Sequence, residues 1–246
     1  MRNFLLGIRL IVFTIIFNQK GVFAQKQVPL EIHPIAPNFY VYTTYHTYKG
    51  ELFPANGLFV VSSKGVIIID SPWDTTQFQR LLDTIHSISN KKAVLSIATH
   101  FHDDRIGGIT FFKKNGISTY TSSLTDSSAA SKSMPRAANH FDRDTIFHIG
   151  DMEFRTFYPG ACHTKDNIVI WFPKQKILYG GCLIKTTLDS NLGNTDDGDI
   201  KEYAQSVRKV LRKFSSARWV VPGHKQWGGI ELVKYTLKLA EIAIKD

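Results

Sequence analysis

Thr99-His100-Phe101-His102-Asp103-Asp104-Arg105-Ile106-Gly107-Gly108 follows a strand-like run over residues 93–98 and leads toward a helix. In an extended segment alternate side chains leave on the same side, so His100, His102 and Asp104 converge while Phe101, Asp103 and Arg105 point away. Two imidazoles and a carboxylate at this spacing suit zinc, which takes nitrogen at roughly 2.0–2.1 Å and oxygen at about 2.0–2.2 Å.

Upstream of this comb, residues 39–44 and 57–62 read as strands, and Val66-Ile67-Ile68-Ile69 is a continuous apolar run of the kind buried on both faces. Asp70 closes that run, either supporting the metal site from behind or capping a turn. Asp74 is the expected N-cap of a helix over 75–88, with Phe78, Leu81, Leu82, Ile85 and Ile88 on its buried face. The aromatic-rich stretch 45–53 reads as a loop between the first two strands: a flap over a site, or a hairpin packed on the core.

Downstream, helices are expected over 108–114 and 124–133, and strands over 118–121, 145–149 and 154–157. Residues 168–172 and 177–179 form a hairpin, and 218–221 is the last strand. A helix over 200–214 is capped by Asp199, with Ile200, Tyr203, Val207, Leu211 and Phe214 facing inward. The final helix buries Ile230, Val233, Leu237, Ala240 and Ile244. His163, Cys182 and His224 each fall at a turn next to a strand, where side chains can reach a shared cleft. His140 and His148 have no partner at ligand spacing. Together with the comb this makes six candidate ligands, too many for one tetrahedral zinc and about right for two.

Residues 1–24 read as a secretory signal peptide, with Arg2, an apolar run over 10–17 and a small-residue end at Ala24; a retained anchor is the alternative. The remainder, 25–246, suits one domain that is exported to the periplasm with no lasting membrane attachment. Losing Arg2, Arg9 and Lys20 lowers the formal charge of +9 by three, and the remaining lysines are scattered, without a nucleic-acid-binding signature. A disulfide between Cys162 and Cys182 is what export alone would suggest, but each sits beside a candidate ligand motif and a domain of this size needs no staple, so free thiols are expected.

The comb with Gly107-Gly108, the segment Gly160-Ala161-Cys162-His163-Thr164 with Asp166-Asn167, Gly180-Gly181-Cys182 with Lys185, and Pro222-Gly223-His224 resemble the metallo-β-lactamases over nearly the whole mature chain. The resemblance is to the subclass with a three-histidine site beside an Asp-Cys-His site. It implies an α/β fold, a single-domain four-layer αββα sandwich with two Zn2+ ions at one sheet edge. His100, His102 and His163 would hold one ion, and Asp104, Cys182 and His224 the other. Asp104 would also orient the nucleophile, Lys185 would bind the substrate carboxylate, and Asn194 would polarise the lactam carbonyl. The implied reaction is hydrolysis of penicillins, cephalosporins and carbapenems by a zinc-bound hydroxide, in a monomer whose partner is the small β-lactam. Related thioesterases and nucleases carry a histidine after the motif aspartate and a bridging aspartate, where this chain has Arg105 and Cys182. A thioesterase or phosphodiesterase and a disulfide-linked, non-catalytic binding protein are the competing readings. Cys162 departs from the family pattern, and its oxidation onto Cys182 would remove a ligand.

Overall fold

The apolar runs assemble into two sheets. In this computed structural model, which describes residues 28–142 and 144–245, the first sheet contains β1 (Leu30–Ala36), β2 (Phe39–Tyr48), β3 (Glu51–Ser62), β4 (Gly65–Ile69), β5 (Ala93–Ile97), β6 (Ser118–Ser122) and β7 (Asn139–Phe141), in that order. The second contains β8 (Ile146–Ile149), β9 (Met152–Phe157), β10 (Val169–Phe172), β11 (Ile177–Gly181) and β12 (Trp219–Pro222), with β12 at one edge and β8 at the other. β1 to β4 are antiparallel and β4 to β7 parallel; in the second sheet only the β11–β12 pair is parallel.

The run in β4 is unbroken because both of its faces are covered. Ile67 and Ile69 point to the core between the sheets, against a cluster that includes Phe154, Ile170, Phe172 and Ile177 of the second sheet. Val66 and Ile68 point outward, onto Leu81 and Ile85 of α1 (Phe78–Ser89) and Phe112 of α3 (Ile109–Lys114). On the other side, Val169, Leu178 and Val220 meet α5 (Ile200–Lys213) and α6 (Glu231–Ala243). Helix, sheet, sheet, helix is the four-layer α/β sandwich expected. The short α2 (Asp103–Ile106) and α4 (Ser123–Ser131) complete the helices.

Several local expectations need correction. The stretch 45–53 is not a loop: β2 and β3 continue in register to Tyr48 and Glu51, closed by Lys49 and Gly50 at φ of 51° and 84°. Left-handed φ at both turn residues is what a tight hairpin with twisted strands requires. Ile88, Ile200 and Ile244 are exposed rather than buried; each lies within a residue or two of a helix end, where the last turn has fewer neighbours to pack on. Asp74 does cap, but its carboxylate takes Thr76 N–H at the head of a single 3-10 turn (Thr75–Gln77) that precedes α1. Asp199 caps α5 by accepting from Lys201 and Glu202. The leader assigned to residues 1–24 lies outside the described residues.

Gly57 sits opposite Tyr42 in the β2–β3 register, and a Cβ there would lie 2.0 Å from the Tyr42 ring. Tyr42 is wholly buried and donates to the Asp70 carbonyl at 2.8 Å, so it has nowhere to go. Gly57→Ala is expected to cost roughly 1–3 kcal/mol by overpacking, read as a lower urea midpoint with an unchanged slope.

Candidate metal centre

Strand ends bring the candidate ligands to one end of the sandwich. β5 delivers the comb, β11 delivers Cys182, β12 delivers His224, and the β9–β10 connection delivers His163. The comb itself is not extended throughout. His102 has φ −65° and ψ 150°, and Asp103–Ile106 is already helical. Asp104 therefore reaches the site from a helical turn. Arg105 does not point away: it turns into the site and is 1% exposed.

The histidine trio offers ligand atoms that lie within 4.8 Å of one another, from His100, His102 and His163. The hydrogen bonds on the far side of each ring decide which nitrogen is bare. His163 Nδ1 lies 2.8 Å from the Asn194 carbonyl oxygen, which can only accept, so Nδ1 carries the proton and Nε2 is bare. His102 Nε2 lies 3.2 Å from the Asp197 carboxylate, which leaves its Nδ1 bare. The Thr99 hydroxyl donates to Asp70 at 2.9 Å and is 3.3 Å from His100 Nδ1, so it accepts there and frees His100 Nε2. That Nε2 is buried without any hydrogen-bond partner.

Bare His102 Nδ1 and His163 Nε2 then face each other at 3.1 Å, lone pair to lone pair. Such a contact is repulsive unless a cation lies between the rings. A proton on His163 is disfavoured: burial, with Lys185 adding to it, pushes its pKa well below the ordinary imidazole value, and burial does the same to neighbouring His100. The trio fits a metal ion.

Beside it, His224 Nε2 is 3.3 Å from Cys182 Sγ and 3.2 Å from Asp104 Oδ2, and Cys182 Sγ is 3.7 Å from Asp104 Oδ2. His224 Nδ1 is fixed by the Pro54 carbonyl at 2.8 Å, turning Nε2 to the site. Burial alone would lower the His224 pKa, but Cys182 and Asp104 outweigh it and raise it to about 9. Burial would raise the Asp104 carboxyl, and Arg105 reverses this, holding it well below the usual carboxylate range. A nitrogen, sulfur and carboxylate donor set is the softness that zinc accepts and that magnesium and calcium do not favour.

The sequence profile of the "Metallo-beta-lactamase superfamily" matches residues 50–224. The chain belongs to the metallo-beta-lactamase superfamily. It is 42% identical over 219 residues to "Metallo-beta-lactamase type 2" of Elizabethkingia meningoseptica, covering 89% of this chain and 88% of that protein. A protein of the same description from Bacteroides fragilis is 31% identical over 231 residues, 92% of this chain and 93% of that one. Among solved structures, the metallo-beta-lactamase from Pontibacter korlensis superposes with a TM-score of 0.84 at 36% identity, covering 87% of this chain and 99% of that chain.

In this metallo-beta-lactamase the two candidate ligand groups open into a cleft of about 370 Å³. Tyr48 and Phe53 of the β2–β3 hairpin, with Trp73, form one side; Ile184, Lys185, Asp189 and Asn194 form the other. Both expectations for 45–53 thus hold in part: it is a hairpin, and its aromatics cover the site. His46 stacks on Trp73 at 5.0 Å and takes no place among the ligands. His140 and His148 also stay outside the metal-competent groups of the described residues.

Both cysteines are free, as their ligand-like settings predict, and the disulfide-linked binding protein loses its premise. Cys162 packs among Val169, Tyr203 and Val207 beneath α5, while Cys182 Sγ accepts from Arg105. Burial pushes the Cys162 thiol up to about 12, so it supplies little thiolate for oxidation.

Sequence reasoning missed Arg105, Asp197 and the backing chain through Thr99. Arg105 Nη2 lies 2.8 Å from Asp104 Oδ2, 3.0 Å from Cys182 Sγ and 3.2 Å from His224 Nε2. Its Nη1 donates to the Asn56 carbonyl at 2.7 Å and is 3.7 Å from Asp70. Asp70 sits behind the candidate ligands: it accepts from the Thr99 N–H and hydroxyl and lies beside Arg105, the two residues that contact His100, Asp104 and Cys182.

Proposed function

We propose that this chain hydrolyses the lactam amide of penicillins, cephalosporins and carbapenems at a centre of two zinc ions. His100, His102 and His163 would hold one, and Asp104, Cys182 and His224 the other. The observation that carries this reading is the pair of bare imidazole nitrogens facing each other across 3.1 Å, next to an acid, a thiol and a third imidazole. When bound, zinc lowers the pKa of a coordinated water to about 7 and polarises a carbonyl oxygen.

The chain's own groups do the rest. Asp104 lines the cleft and is kept anionic by Arg105, so it accepts a hydrogen bond from the attacking water and orients it. Lys185 offers the substrate carboxylate a point charge. Asn194 has two tasks: its carbonyl sets the His163 tautomer, and its side-chain Oδ1 accepts from Asp196 N–H at 3.1 Å, which leaves Nδ2 to donate to the lactam carbonyl. Tyr48, Phe53 and Trp73 exclude water above the reacting amide. A cleavable leader would place the monomeric enzyme in the periplasm, in the path of incoming antibiotic.

Purified mature protein is expected to turn over a carbapenem and a chromogenic cephalosporin, to lose at least ~100-fold in rate with a chelator, and to regain it with added zinc. Chelator-resistant turnover would overturn the metal assignment. Two bound zinc ions without lactam turnover would transfer the site to a thioester or phosphodiester substrate.

A further inference from the structure

The connector between β11 and α5 places three charges along the cleft: Asp197, which is taken by His102 and Lys132, and the opposite pair Lys185 and Asp189. Lys185 is 8% exposed and has no ion-pair partner among the described residues. Asp189 does not pair with it. Its Oδ1 takes Lys225 Nζ at 2.5 Å, and its Oδ2 accepts Thr186 N–H at 2.7 Å and the Thr186 hydroxyl at 3.2 Å. Tyr235 fixes the Asp189 backbone by donating to its carbonyl at 2.8 Å.

Lys225 is held as firmly from its own side. It follows His224 with a left-handed φ of 59°, and its carbonyl accepts from Asn56 Nδ2 at 2.7 Å. Its ammonium is 5.9 Å from the Phe53 ring at the same mouth of the cleft. Lys185, Asp189 and Lys225 thus gather at one part of the cleft, where Asp189 is ion-paired to Lys225 and acts on Lys185 only through space, and where charges are felt over about 8–10 Å at working salt. All three charges act on an anion entering there, and the carboxylate is matched to only one of the lysines.

We infer that Asp189 is a specificity-determining residue: it cancels Lys225 and leaves Lys185 as the one unmatched lysine of the cleft, so that ligands with a single carboxylate are favoured over ligands with two. This rests on the β-lactam reading of the site. Asp189→Asn uncovers Lys225 and adds a cation. Lys225→Gln does the reverse, freeing the Asp189 carboxylate to occupy Lys185.

The test compares a penicillin bearing one carboxylate with its counterpart bearing a second carboxylate on the side chain, using zinc-loaded wild type, D189N, K225Q and the double variant. In D189N the KM for the dicarboxylate should fall about five-fold relative to the monocarboxylate, the size of one partly screened charge. In K225Q both KM values should rise by a similar factor. The double variant should return to the wild-type ratio. Calorimetric binding of the two ring-opened products gives the same ratio without needing turnover. Wild type that turns over neither penicillin would overturn the proposed function, and the calorimetric ratio would still decide the charge assignment. An unchanged ratio in D189N, or a weakening of both ligands that the double variant does not reverse, would overturn the inference and leave Asp189 a structural tie.

Discussion

Replacing Arg105 by Met is expected to cost the metal-free protein ~3–5 kcal/mol in urea denaturation, the usual penalty for removing one partner of a buried ion pair. The guanidinium is wholly buried and serves Asp104, Asp70, Cys182 and the carbonyls of Asn56 and Gly223. Met keeps the length and apolar volume, so the loss reports charge and hydrogen bonds rather than a cavity. Asp70 makes the result diagnostic. Burial already raises its carboxyl to about 6 against the pull of Arg105 and three hydrogen bonds, so losing Arg105 should raise it further. An acid whose folded pKa lies above its unfolded value binds its proton more tightly when folded, so the variant should recover stability as pH falls from 7 toward 5. A variant within 1 kcal/mol of the parent at pH 7, with no such recovery, would mean that the acids find other partners. Arg105→Lys should fall between the two, because an ammonium keeps the charge but cannot fork between Cys182, Asp104 and the two carbonyls.

Arg105 also shows where sequence reading reached its limit. Alternation along the comb points to His100, His102 and Asp104 by residue type and spacing, and the fold does bring all three into metal-competent groups, Asp104 by way of a helical turn. The same alternation sent Arg105 to the wrong side, because it assumed an extended chain where helix begins at Asp103. Asp197 was illegible for another reason. It reaches His102 from a connector 95 residues away, and nothing local distinguishes it from any loop aspartate.

The layers were legible for the converse reason. The run Val66 to Ile69 is covered on both faces in the folded chain, and its lack of alternation said so in advance. Helix periodicity finds the buried stripes, including Phe78 and Phe214 at helix ends, and fails at Ile88, Ile200 and Ile244. Periodicity reports the facing direction of a residue but not how far packing extends along the helix, and these three isoleucines, each within a residue or two of a helix end, are exposed. The stretch 45–53 was misread because its aromatics are strand formers covering a cleft instead of a core, and composition alone does not separate the two.

Cys182→Ser is expected to remove close to one zinc per chain after dialysis, with the second retained, and to lower lactam turnover by at least ~100-fold. The hydroxyl is nearly the same size, but at neutral pH it supplies no anion, and zinc sites are built from thiolate rather than alcohol ligands. The loss should be confined to one site because the backing of the other does not pass through Cys182. His100 is set by Thr99, His102 by Asp197 and His163 by the Asn194 carbonyl. His163→Ala should give the complementary result, stripping the histidine trio while Asp104, Cys182 and His224 stay held by Arg105 and the Pro54 carbonyl. Metal content by emission spectroscopy, set beside turnover, separates these cases. If Cys182→Ser loses both ions, the two groups form one cooperative centre and the division into three-histidine and Asp-Cys-His sites fails. If it loses neither ion nor activity, Cys182 is only the buried acceptor of Arg105, and His224 and Asp104 need another partner at the second site.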